Sequence, residues 1–336
     1  MKAATVTPER IMQFAWGYVP PLVLEAAIRY RVFDVLEAGP KTVKETAAAT
    51  GTSERGLRAI MNVLVGLDFL VRATGGRYAL TPESETFLIS TKRGFQGGIL
   101  KHVSRELIPK WLHLNEVVVT GTPPVAVNEE GSGSDFFQKF VGDIFPINYP
   151  SALALADHLA LGETRTRTRV LDLAAGSGVW GIALAQSSER VVVTAVDWTN
   201  VLPATERTVA GFGLTDRYTF VGGDLLAADF GRDHNVVTLG HILHSEGEAR
   251  SRSLLRKACE ALAPGGTIAI AEFLVNADRS GPLVSLFFAA NMLVNTEHGD
   301  TYSFEEIRGW LVEAGFTDAR LLEAPGPSPL ILATKR

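Results

Sequence analysis

The stretch "VLDLAAGSGVWG", residues Val170 to Gly181, decides the fold of this chain. Its apolar run reaches an acid, Asp172, and glycines then follow in the pattern G-x-G-x-x-G at Gly176, Gly178 and Gly181. A strand, a tight glycine turn and the start of a helix bring backbone N–H groups close to a ligand. The stretch therefore predicts a ligand site at the end of a buried strand, and by itself it does not distinguish a dinucleotide from another nucleoside.

The sequence around this stretch alternates between strand and helix from about residue 165 onward. Runs such as "VVVTAVDW", "NVVTLGHIL" and "GTIAIAEFL" lack polar alternation, which is typical of parallel strands buried on both faces. Strand-helix-strand repetition implies right-handed crossovers. Residues 161–336 are therefore predicted to form an α/β domain with a doubly wound, mostly parallel, Rossmann-like sheet. The tail "DARLLEAPGPSPLILATKR" predicts two final strands around a proline-glycine turn.

Residues 1–92 carry helix punctuation and little strand. The segment "TVKE", from Thr42 to Glu45, has the spacing of a capping box, and Gly51 is placed to end the short helix that begins there. A longer amphipathic helix follows, and "LVRATGGRYALT" then predicts two short strands around a glycine pair. Two helices and a β-ribbon are typical of a winged-helix-like domain.

A winged helix raises the hypothesis of a DNA-binding regulator. A recognition helix offers basic and amide side chains to bases and phosphates, whereas the second helix here supplies Arg55 and Arg58 and then turns apolar. The formal net charge of -5 gives no electrostatic reason to expect a polyanionic partner. We therefore predict no nucleic-acid partner, and a packing or dimerisation role for this domain.

Composition also indicates the compartment that we expect. The single cysteine, Cys259, rules out an internal disulfide framework. The first ten residues lack the apolar core of a secretory signal. The apolar run "AIMNVLVGLDFLV" is interrupted by Asn62 and Asp68, which leaves it well short of a membrane span. The sequence therefore predicts a soluble, cytoplasmic protein without a membrane partner.

Residues 93–160 are predicted to be a helical connector that contributes to a substrate pocket. They include one loop rich in helix breakers, "GTPPVAVNEEGSGS", and a concentration of aromatic side chains that includes Phe145 and Tyr149. Such a cluster either belongs to the core or lines an apolar ligand pocket, since both use the same residue types.

Acids stand at the ends of three successive predicted strands. Asp172 lies just before Gly176, where an anion would repel a pyrophosphate but suits a ligand with a positive amine and sulfonium. Asp197 ends the next strand, where a carboxylate can accept both ribose hydroxyls. Asp224 ends the third and could accept from an adenine amino group. Beside the glycine turn, these acids favour S-adenosylmethionine over a dinucleotide.

Four segments resemble class I S-adenosylmethionine-dependent methyltransferases, specifically the two-domain small-molecule O-methyltransferases. They are "DLAAGSGVWG", "VVTAVDW", "GGDLL" and "LLRKACEALAPGGTIAIAEF". The resemblance implies S-adenosyl-L-methionine as cofactor, S-adenosyl-L-homocysteine as its product, and a winged-helix-like domain that forms a homodimer. The cofactor residues on this basis are Asp172, Gly176, Gly178, Asp197, Trp198, Asp224, Leu225 and Gly240.

The same resemblance implies which residues carry out the methyl transfer. In "GHILHSEGEAR", His244 matches the family's catalytic histidine, and Glu272 matches the glutamate paired with it. A further glutamate of the family falls near Asp300, to which its role would pass. The family's His-Asp-Trp triplet reads His244-Ser245-Glu246 here. This departure leaves open the methylation of carbon, nitrogen or sulfur, or a non-methylating reaction on the same fold.

Three further residues are predicted to face the substrate. His241 precedes His244 by three positions, which places both on one face if a helical turn begins there. The apolar segment "GPLVSLFFAANMLVNT" is expected to be a helix buried on several sides, with Asn291 and Met292 lining the pocket. The predicted substrate is a small, apolar or aromatic metabolite with a hydroxyl group, and no metal site is predicted. A nicotinamide dehydrogenase is the remaining alternative, which Asp172 disfavours.

Overall fold

The computed structural model describes residues 6–128 and 130–336, and the chain divides into two compact units, Met1–Pro109 and Lys110–Arg336. The predicted connector, residues 93–160, is thus divided between them. Its first part continues the N-terminal unit, and its long helix belongs to the C-terminal unit.

The N-terminal unit is mostly helical and carries one β-ribbon. One antiparallel pair of short strands connects the fifth helix to the sixth, and a π-helical turn at Val103–Leu107 follows the seventh. The elements are α1 (Glu9–Ala15), α2 (Val19–Arg29), α3 (Val32–Glu37), α4 (Val43–Thr50), α5 (Glu54–Gly66), β1 (Leu70–Ala73), β2 (Arg77–Leu80), α6 (Pro82–Phe87) and α7 (Gly98–His102).

Local signals begin and end these helices. The backbone N–H of Thr42 donates to Oε2 of Glu45 at 2.7 Å, and that of Glu45 donates to Oγ1 of Thr42 at 3.2 Å, which completes the predicted capping box. Gly51 ends α4 with a φ of 68°, a left-handed conformation that glycine adopts without strain. Leu57 and Met61 of α5 are buried in the core of this unit. The predicted N-terminal helical domain is confirmed.

One stretch of the N-terminal unit has an apolar character that the sequence argument did not weigh. By length and composition alone, Glu9–Arg29 could cross a membrane, with 17% of its most apolar window buried. The structure divides it into α1 and α2, and Ile11, Phe14 and Trp16 are exposed. This stretch therefore presents apolar surface, and the predicted absence of a membrane partner stays a prediction.

The C-terminal unit is an α/β domain. Its helices are α8 (Ile108–Trp111, beginning at the boundary), α9 (Leu114–Thr120), α10 (Glu130–His158), α11 (Val179–Ser187), α12 (Leu202–Gly211), α13 (Leu243–Ala261), α14 (Leu283–Asn295) and α15 (Phe304–Ala314). Its strands are β3 (Thr168–Leu173), β4 (Val191–Asp197), β5 (Tyr218–Gly222), β6 (His234–Gly240), β7 (Leu262–Ala271), β8 (Phe316–Leu322) and β9 (Leu330–Lys335).

The seven strands form one sheet in the order β5-β4-β3-β6-β7-β9-β8. The first five run parallel, while β9 is antiparallel to both β7 and β8. This confirms the predicted doubly wound, mostly parallel sheet and its final two strands. The order reverses at β3, because β4 lies on one side of it and β6 on the other, and ligands of open α/β sheets bind at such a switch point.

Both faces of the sheet are covered. Val170 packs into a cluster that includes residues of α10 and α11, while its neighbour Leu171 packs into a second cluster with residues of α13 and α15. Alternate side chains of a strand point to opposite faces, so an apolar run without polar alternation is what two helical layers require. Because β3, β4, β6 and β7 run parallel, their carboxyl ends lie at one edge of the sheet.

Two local expectations are wrong. The segment "GSGS", expected in a loop, lies inside α10, where a Cβ on Gly133 would clash with the carbonyl oxygen of Val127. Helix α14 is buried on several sides only in its second half, at Met292, Val294 and Asn295, whereas Leu283, Val284 and Phe287 of the first half are 61%, 55% and 57% exposed. An apolar composition around a helix predicts burial only if neighbours cover every side, and that part of α14 lacks them in the described chain.

Candidate active site

The glycine turn connects β3 to α11. Gly176 and Gly178 have φ angles of 55° and 76°, the left-handed region in which a side chain is strained. Gly181, in the first turn of α11, needs to be small for another reason, since a Cβ there would lie 2.8 Å from both Tyr218 Oη and Val193 Cγ1. The three glycines that opened the sequence argument are thus each required by the backbone or by its close packing.

Asp172 lies beneath this turn and is fully buried. Its Oδ2 accepts from the backbone N–H of Gly181 at 3.0 Å, and its Oδ1 accepts from the hydroxyl of Thr238 on β6 at 2.7 Å. Burial raises the pKa of Asp172 to about 7. The carboxyl group therefore joins β3, α11 and β6, and its predicted role as an anion beside the cofactor stays a prediction.

Asp197, at the end of β4, reaches the turn from the neighbouring strand. Its Oδ2 accepts from the backbone N–H of Gly176 and its Oδ1 from that of Trp198, both at 2.7 Å. Burial raises the pKa of this carboxyl to about 6. The Trp198 ring lies 5.9 Å from that of Phe137 on α10, centroid to centroid. These residues form one side of the predicted cofactor site.

Asp224 follows β5 and is the third of the acids predicted at successive strand ends. Its Oδ2 accepts from Nη2 of Arg250 at 2.6 Å, and Arg250 also donates through Nε to Oε2 of Glu246 at 2.6 Å. Burial raises the pKa of Asp224, but its bonds to Arg250 and the backbone outweigh this effect, so the net pKa is lowered. The loop after β5 is therefore tied through Arg250 to the start of α13.

Two other predicted cofactor residues act through packing. The Leu225 side chain is buried in the core cluster beneath α13 and α15, while Lys257 donates to its carbonyl oxygen at 2.9 Å. Gly240 ends β6, and a Cβ there would lie 1.9 Å from Nε1 of Trp180 on α11. The absence of a side chain at Gly240 makes room for the buried indole of Trp180.

The histidine and glutamate that the family resemblance pairs are in direct contact. Nδ1 of His244 lies 2.8 Å from Oε2 of Glu272, and the backbone N–H of His244 donates to Oε1 at 3.3 Å. His244 is 8% exposed and Glu272 is 2% exposed. Burial raises the pKa of Glu272, but the His244 charge and hydrogen bonds outweigh it and hold the pKa below its usual value. A carboxylate is thus fixed against one imidazole nitrogen.

His241 lies beside this pair, although not for the predicted reason. It has a φ of 60° and precedes α13, so the two histidines do not share a helical face. Its backbone N–H donates to the carbonyl of Ala271 at 2.9 Å, and its ring centroid is 6.4 Å from that of His244. Burial lowers the pKa of His241 to about 4, which leaves the ring neutral at physiological pH.

Aromatic rings line the space around the histidines. Phe288 of α14 meets His244 edge to face at 4.8 Å, and Phe273 stacks on Phe288 at 4.1 Å and lies 5.0 Å from His241. Phe273, which directly follows Glu272 at the end of β7, was not among the predicted site residues. Its position next to a strand-end acid was the available signal.

The two predicted pocket residues of α14 differ in their surroundings. The Asn291 side chain is partly buried, and its Oδ1 accepts from Nε1 of Trp111 at 3.1 Å. Met292 is 5% exposed, and its carbonyl accepts from the backbone N–H of Thr296 at 2.8 Å. Both lie on the helix that carries Phe288.

Asp300 does not reach the His244 ring. Its Oδ1 accepts from the backbone N–H of Thr301 at 2.7 Å, and its Oδ2 lies 3.8 Å from Arg279. Its own N–H donates to the carbonyl of His244 at 2.9 Å. The carboxylate therefore contacts Thr301 and lies near Arg279, and the predicted catalytic role of Asp300 stays a prediction.

Phe145 and Tyr149 make the contacts expected of the core alternative. Their rings stack on each other at 5.2 Å, and Phe145 stacks on Phe212 at the end of α12 at 5.4 Å. The Tyr149 hydroxyl bonds to Oε1 of Gln186 at 2.6 Å. These contacts join α10 to α11 and α12, so the two residues pack helices together rather than face the histidines.

A segment before α10 supports the histidine turn from outside. The backbone N–H of Val127 donates to the carbonyl of Asn295 at 2.8 Å, and Nδ2 of Asn128 donates to the carbonyl of Ser245 at 3.2 Å. The sequence predicted only a loop for this segment. Its contacts link the residue after His244 to the end of α14.

Two family models match the chain. The model of the O-methyltransferase dimerisation domain matches residues 12–90, and the model of the O-methyltransferase domain matches residues 135–317. The second covers more than half of the chain, and the two together include the glycine turn, the histidine pair and most of the N-terminal unit.

Known proteins match over nearly the full length. The 3-hydroxy-5-methyl-1-naphthoate 3-O-methyltransferase of Streptomyces sahachiroi is 29% identical over 98% of this chain and 95% of its own. The tetracenomycin polyketide synthesis 8-O-methyl transferase TcmO of Streptomyces glaucescens is 27% identical over 98% and 97%. The crystal structure of human N-acetylserotonin methyltransferase with S-adenosylmethionine has a TM-score of 0.83 and 26% identity, over 100% of this chain and 99% of the other.

Proposed function

This chain belongs to the family of S-adenosylmethionine-dependent O-methyltransferases that carry an N-terminal dimerisation domain, and we propose that it methylates a hydroxyl group of a small aromatic metabolite with His244 as general base. The observation that carries the proposal is the buried contact of 2.8 Å between His244 Nδ1 and Glu272 Oε2. It lies at the carboxyl edge of the sheet, where the glycine turn also lies.

The chemistry requires a base because a neutral hydroxyl is a poor nucleophile. A phenol has an unperturbed pKa of roughly 10 and an imidazole of about 6.5, so a positioned histidine can accept the proton as the oxygen attacks. Glu272 holds Nδ1 of His244, which leaves Nε2 as the proton acceptor. The Glu272 carboxylate then stabilises the imidazolium. The proton passes from the hydroxyl to Nε2 of His244 as the oxygen attacks the methyl carbon, whose bond to the sulfonium sulfur would break and leave neutral S-adenosylhomocysteine.

The residues around the glycine turn fit the cofactor. S-adenosylmethionine supplies the electrophilic methyl group on its sulfonium when it is bound. Asp197 would hold the ribose hydroxyls of the cofactor, and Trp198 and Asp224 would lie beside its adenine ring. The bare backbone at Gly176 and Gly178 allows close approach to a ligand. Asp172 would contribute by holding the turn in shape from below.

The surroundings of His244 favour a flat aromatic substrate. Phe273 and Phe288 stack beside the histidines, and such rings prefer offset or edge contacts with another ring. The names of the two Streptomyces relatives specify a naphthoate and a tetracenomycin polyketide. We therefore place the substrate among hydroxylated polycyclic or bicyclic aromatic metabolites, with His241 and Asn291 beside the ring.

The test is methyl transfer to a panel of hydroxylated naphthoates and polycyclic phenols. Mass spectrometry detects the added methyl group, and NMR distinguishes an O-methyl from a C- or N-methyl product. His244→Asn should lose most turnover while it still binds S-adenosylmethionine. His298→Asn is the matched control, because the His298 side chain is 76% exposed. Full turnover in His244→Asn would reject the base assignment, and a C- or N-methyl product would reject the hydroxyl.

We also propose that the enzyme is a homodimer formed through the N-terminal unit. The dimerisation-domain match and the exposed apolar side chains Ile11, Phe14 and Trp16 support this assignment. Light scattering should give twice the chain mass. Phe14→Glu combined with Trp16→Glu should shift the protein toward monomer. An unchanged mass would contradict a dimer contact at these two residues.

A further inference from the structure

Three side chains at the histidine turn bring their donor atoms together. One ligand atom each from His241, His244 and Glu272 lie within 4.8 Å of one another. Nδ1 of His241 is buried and has no hydrogen-bond partner among the residues that the structure describes. An unpaired buried polar atom is costly unless something binds it. The sequence predicted no metal site, and the structure supplies a donor set in which one member lacks a partner.

The chemistry of the three donors selects the kind of ligand. Two imidazole nitrogens and one carboxylate are typical ligands of zinc and of divalent iron, cobalt or nickel, whereas magnesium and calcium prefer oxygen alone. Bonds from zinc to nitrogen or oxygen are about 2.0–2.2 Å, so donors around it stand roughly 3.3 Å apart. Because the donor atoms lie within 4.8 Å of one another, the side chains need to approach each other by at most about 1.5 Å.

We propose that His241, His244 and Glu272 form a site for one divalent transition-metal ion, of which zinc is the representative, and that occupation of this site inhibits the enzyme. The ion would lie on the Nδ1 side of His244, the side on which Glu272 is already in contact. His241 is the residue that completes the set, since the other two alone offer two donors.

Inhibition follows from the position of one proton, and this part rests on the proposed function. In the active tautomer Nδ1 of His244 carries its proton toward Glu272, and Nε2 has the free electron pair that accepts from the substrate. A metal ion on Nδ1 takes the electron pair of that nitrogen, so the proton moves to Nε2. No proton is lost from the ring, but Nε2 is now a donor and the base is blocked.

Cobalt and zinc titrations of the intact protein test the site without any substrate. Binding of Co²⁺ should give visible d–d absorption with one ion per chain, and Zn²⁺ should displace it. His241→Asn and Glu272→Gln should each weaken binding by at least about tenfold, since even groups that only orient metal ligands change affinity by 10–100-fold. The exposed His298→Asn should bind like the parent chain.

The contrary results are equally specific. Unchanged cobalt binding in both His241→Asn and Glu272→Gln, or binding lost in His298→Asn, would overturn the site. Circular dichroism and the thermal transition of each variant are recorded in parallel. If His241→Asn unfolds, His241→Gln and Glu272→Gln decide the outcome instead.

A second arm measures the consequence for turnover. Micromolar Zn²⁺ should inhibit methyl transfer by the parent enzyme, with full recovery on adding EDTA. His241→Asn, compared with its own metal-free rate, should need at least about tenfold more zinc for the same fractional inhibition. Equal sensitivity would reject inhibition through this site. If no methylation is found on any substrate, the proposed function fails, while the cobalt spectra still decide the metal site.

Discussion

Replacement of Asp172 by Asn should change how the stability of the protein depends on pH. The buried carboxyl accepts from Gly181 and Thr238, and burial raises its pKa from 3.8 to about 7. The folded chain therefore holds a proton that the unfolded chain loses between about pH 4 and pH 7. A raised carboxyl pKa stabilises the fold at low pH, and this contribution is lost as the pH rises. Asparagine resembles the protonated acid and does not titrate.

The magnitude follows from the size of the shift. One unit of pKa difference corresponds to about 1.4 kcal/mol. Between pH 5 and pH 8, the contribution of Asp172 to the free energy of unfolding therefore changes by about 3 kcal/mol. The free energy of unfolding of the parent chain should thus fall relative to that of Asp172→Asn by about 3 kcal/mol over this range. Groups away from the glycine turn titrate alike in both proteins, so the difference reports Asp172 together with its coupling to the nearby Asp197 carboxyl.

The assay is urea unfolding at pH 5 and pH 8, followed by the fluorescence of tryptophans such as the buried Trp180. No cofactor is added, because its positive charge would favour the ionised carboxylate. Asp157→Asn, at an exposed position of α10, is the matched control for loss of one aspartate. A stability difference between Asp172→Asn and the parent that does not change with pH, or that changes in the opposite direction, would refute the interpretation that buried Asp172 is protonated in the folded chain, and would favour an anion that faces the cofactor.

Three more results are expected. Burial raises the pKa of Asp197 to about 6, so S-adenosylmethionine should bind about tenfold more weakly by calorimetry at pH 5 than at pH 8. Asp197→Asn should bind the cofactor weakly at both pH values. Binding by the parent chain that does not change with pH would contradict this role of Asp197. Gly240→Ala should lower the unfolding free energy by about 1–3 kcal/mol, because the new Cβ would meet Trp180. Gly309→Ala, at an exposed position with open space around it, should not lower it. Equal unfolding free energies of the two variants would exclude the clash. Glu272→Gln should reduce kcat by about 10²–10⁴-fold with little change in cofactor affinity, and an unchanged kcat would separate Glu272 from catalysis.

The sheet could be predicted because its information is local. A parallel strand buried on both faces must be apolar at every position, and it must end where polar groups meet the ligand edge. Val170 and Leu171 satisfy the two faces in turn, and Asp172 and Asp197 end their strands. Helix caps such as Thr42 are equally local. These features depend on residues a few positions apart, which a single sequence displays.

The residues that were missed or misplaced depend on neighbours far along the chain. Thr238 is the register partner of Asp172 across β3 and β6, and no sequence pattern specifies which side chain faces it. The composition around Phe145 and Tyr149 left core and pocket as alternatives, and the side of α10 on which these residues lie packs against α11 and α12. Composition predicts that aromatic side chains are covered, not what covers them.

Ser245-Glu246 replaces the Asp-Trp of the family, and the effect of this replacement depends on what holds His244 in place. The ring is oriented by Glu272 at the end of β7, and neither Ser245 nor Glu246 forms that bond. Glu246 instead pairs with Arg250, which also bonds Asp224 on the loop after β5. A change of these two residues therefore leaves the base and its carboxylate in contact, and it acts on the attachment of the predicted adenine-side loop to the histidine turn. The sequence departure thus bears on how cofactor binding and base position are connected, and it gives no physical reason to abandon methylation of a hydroxyl.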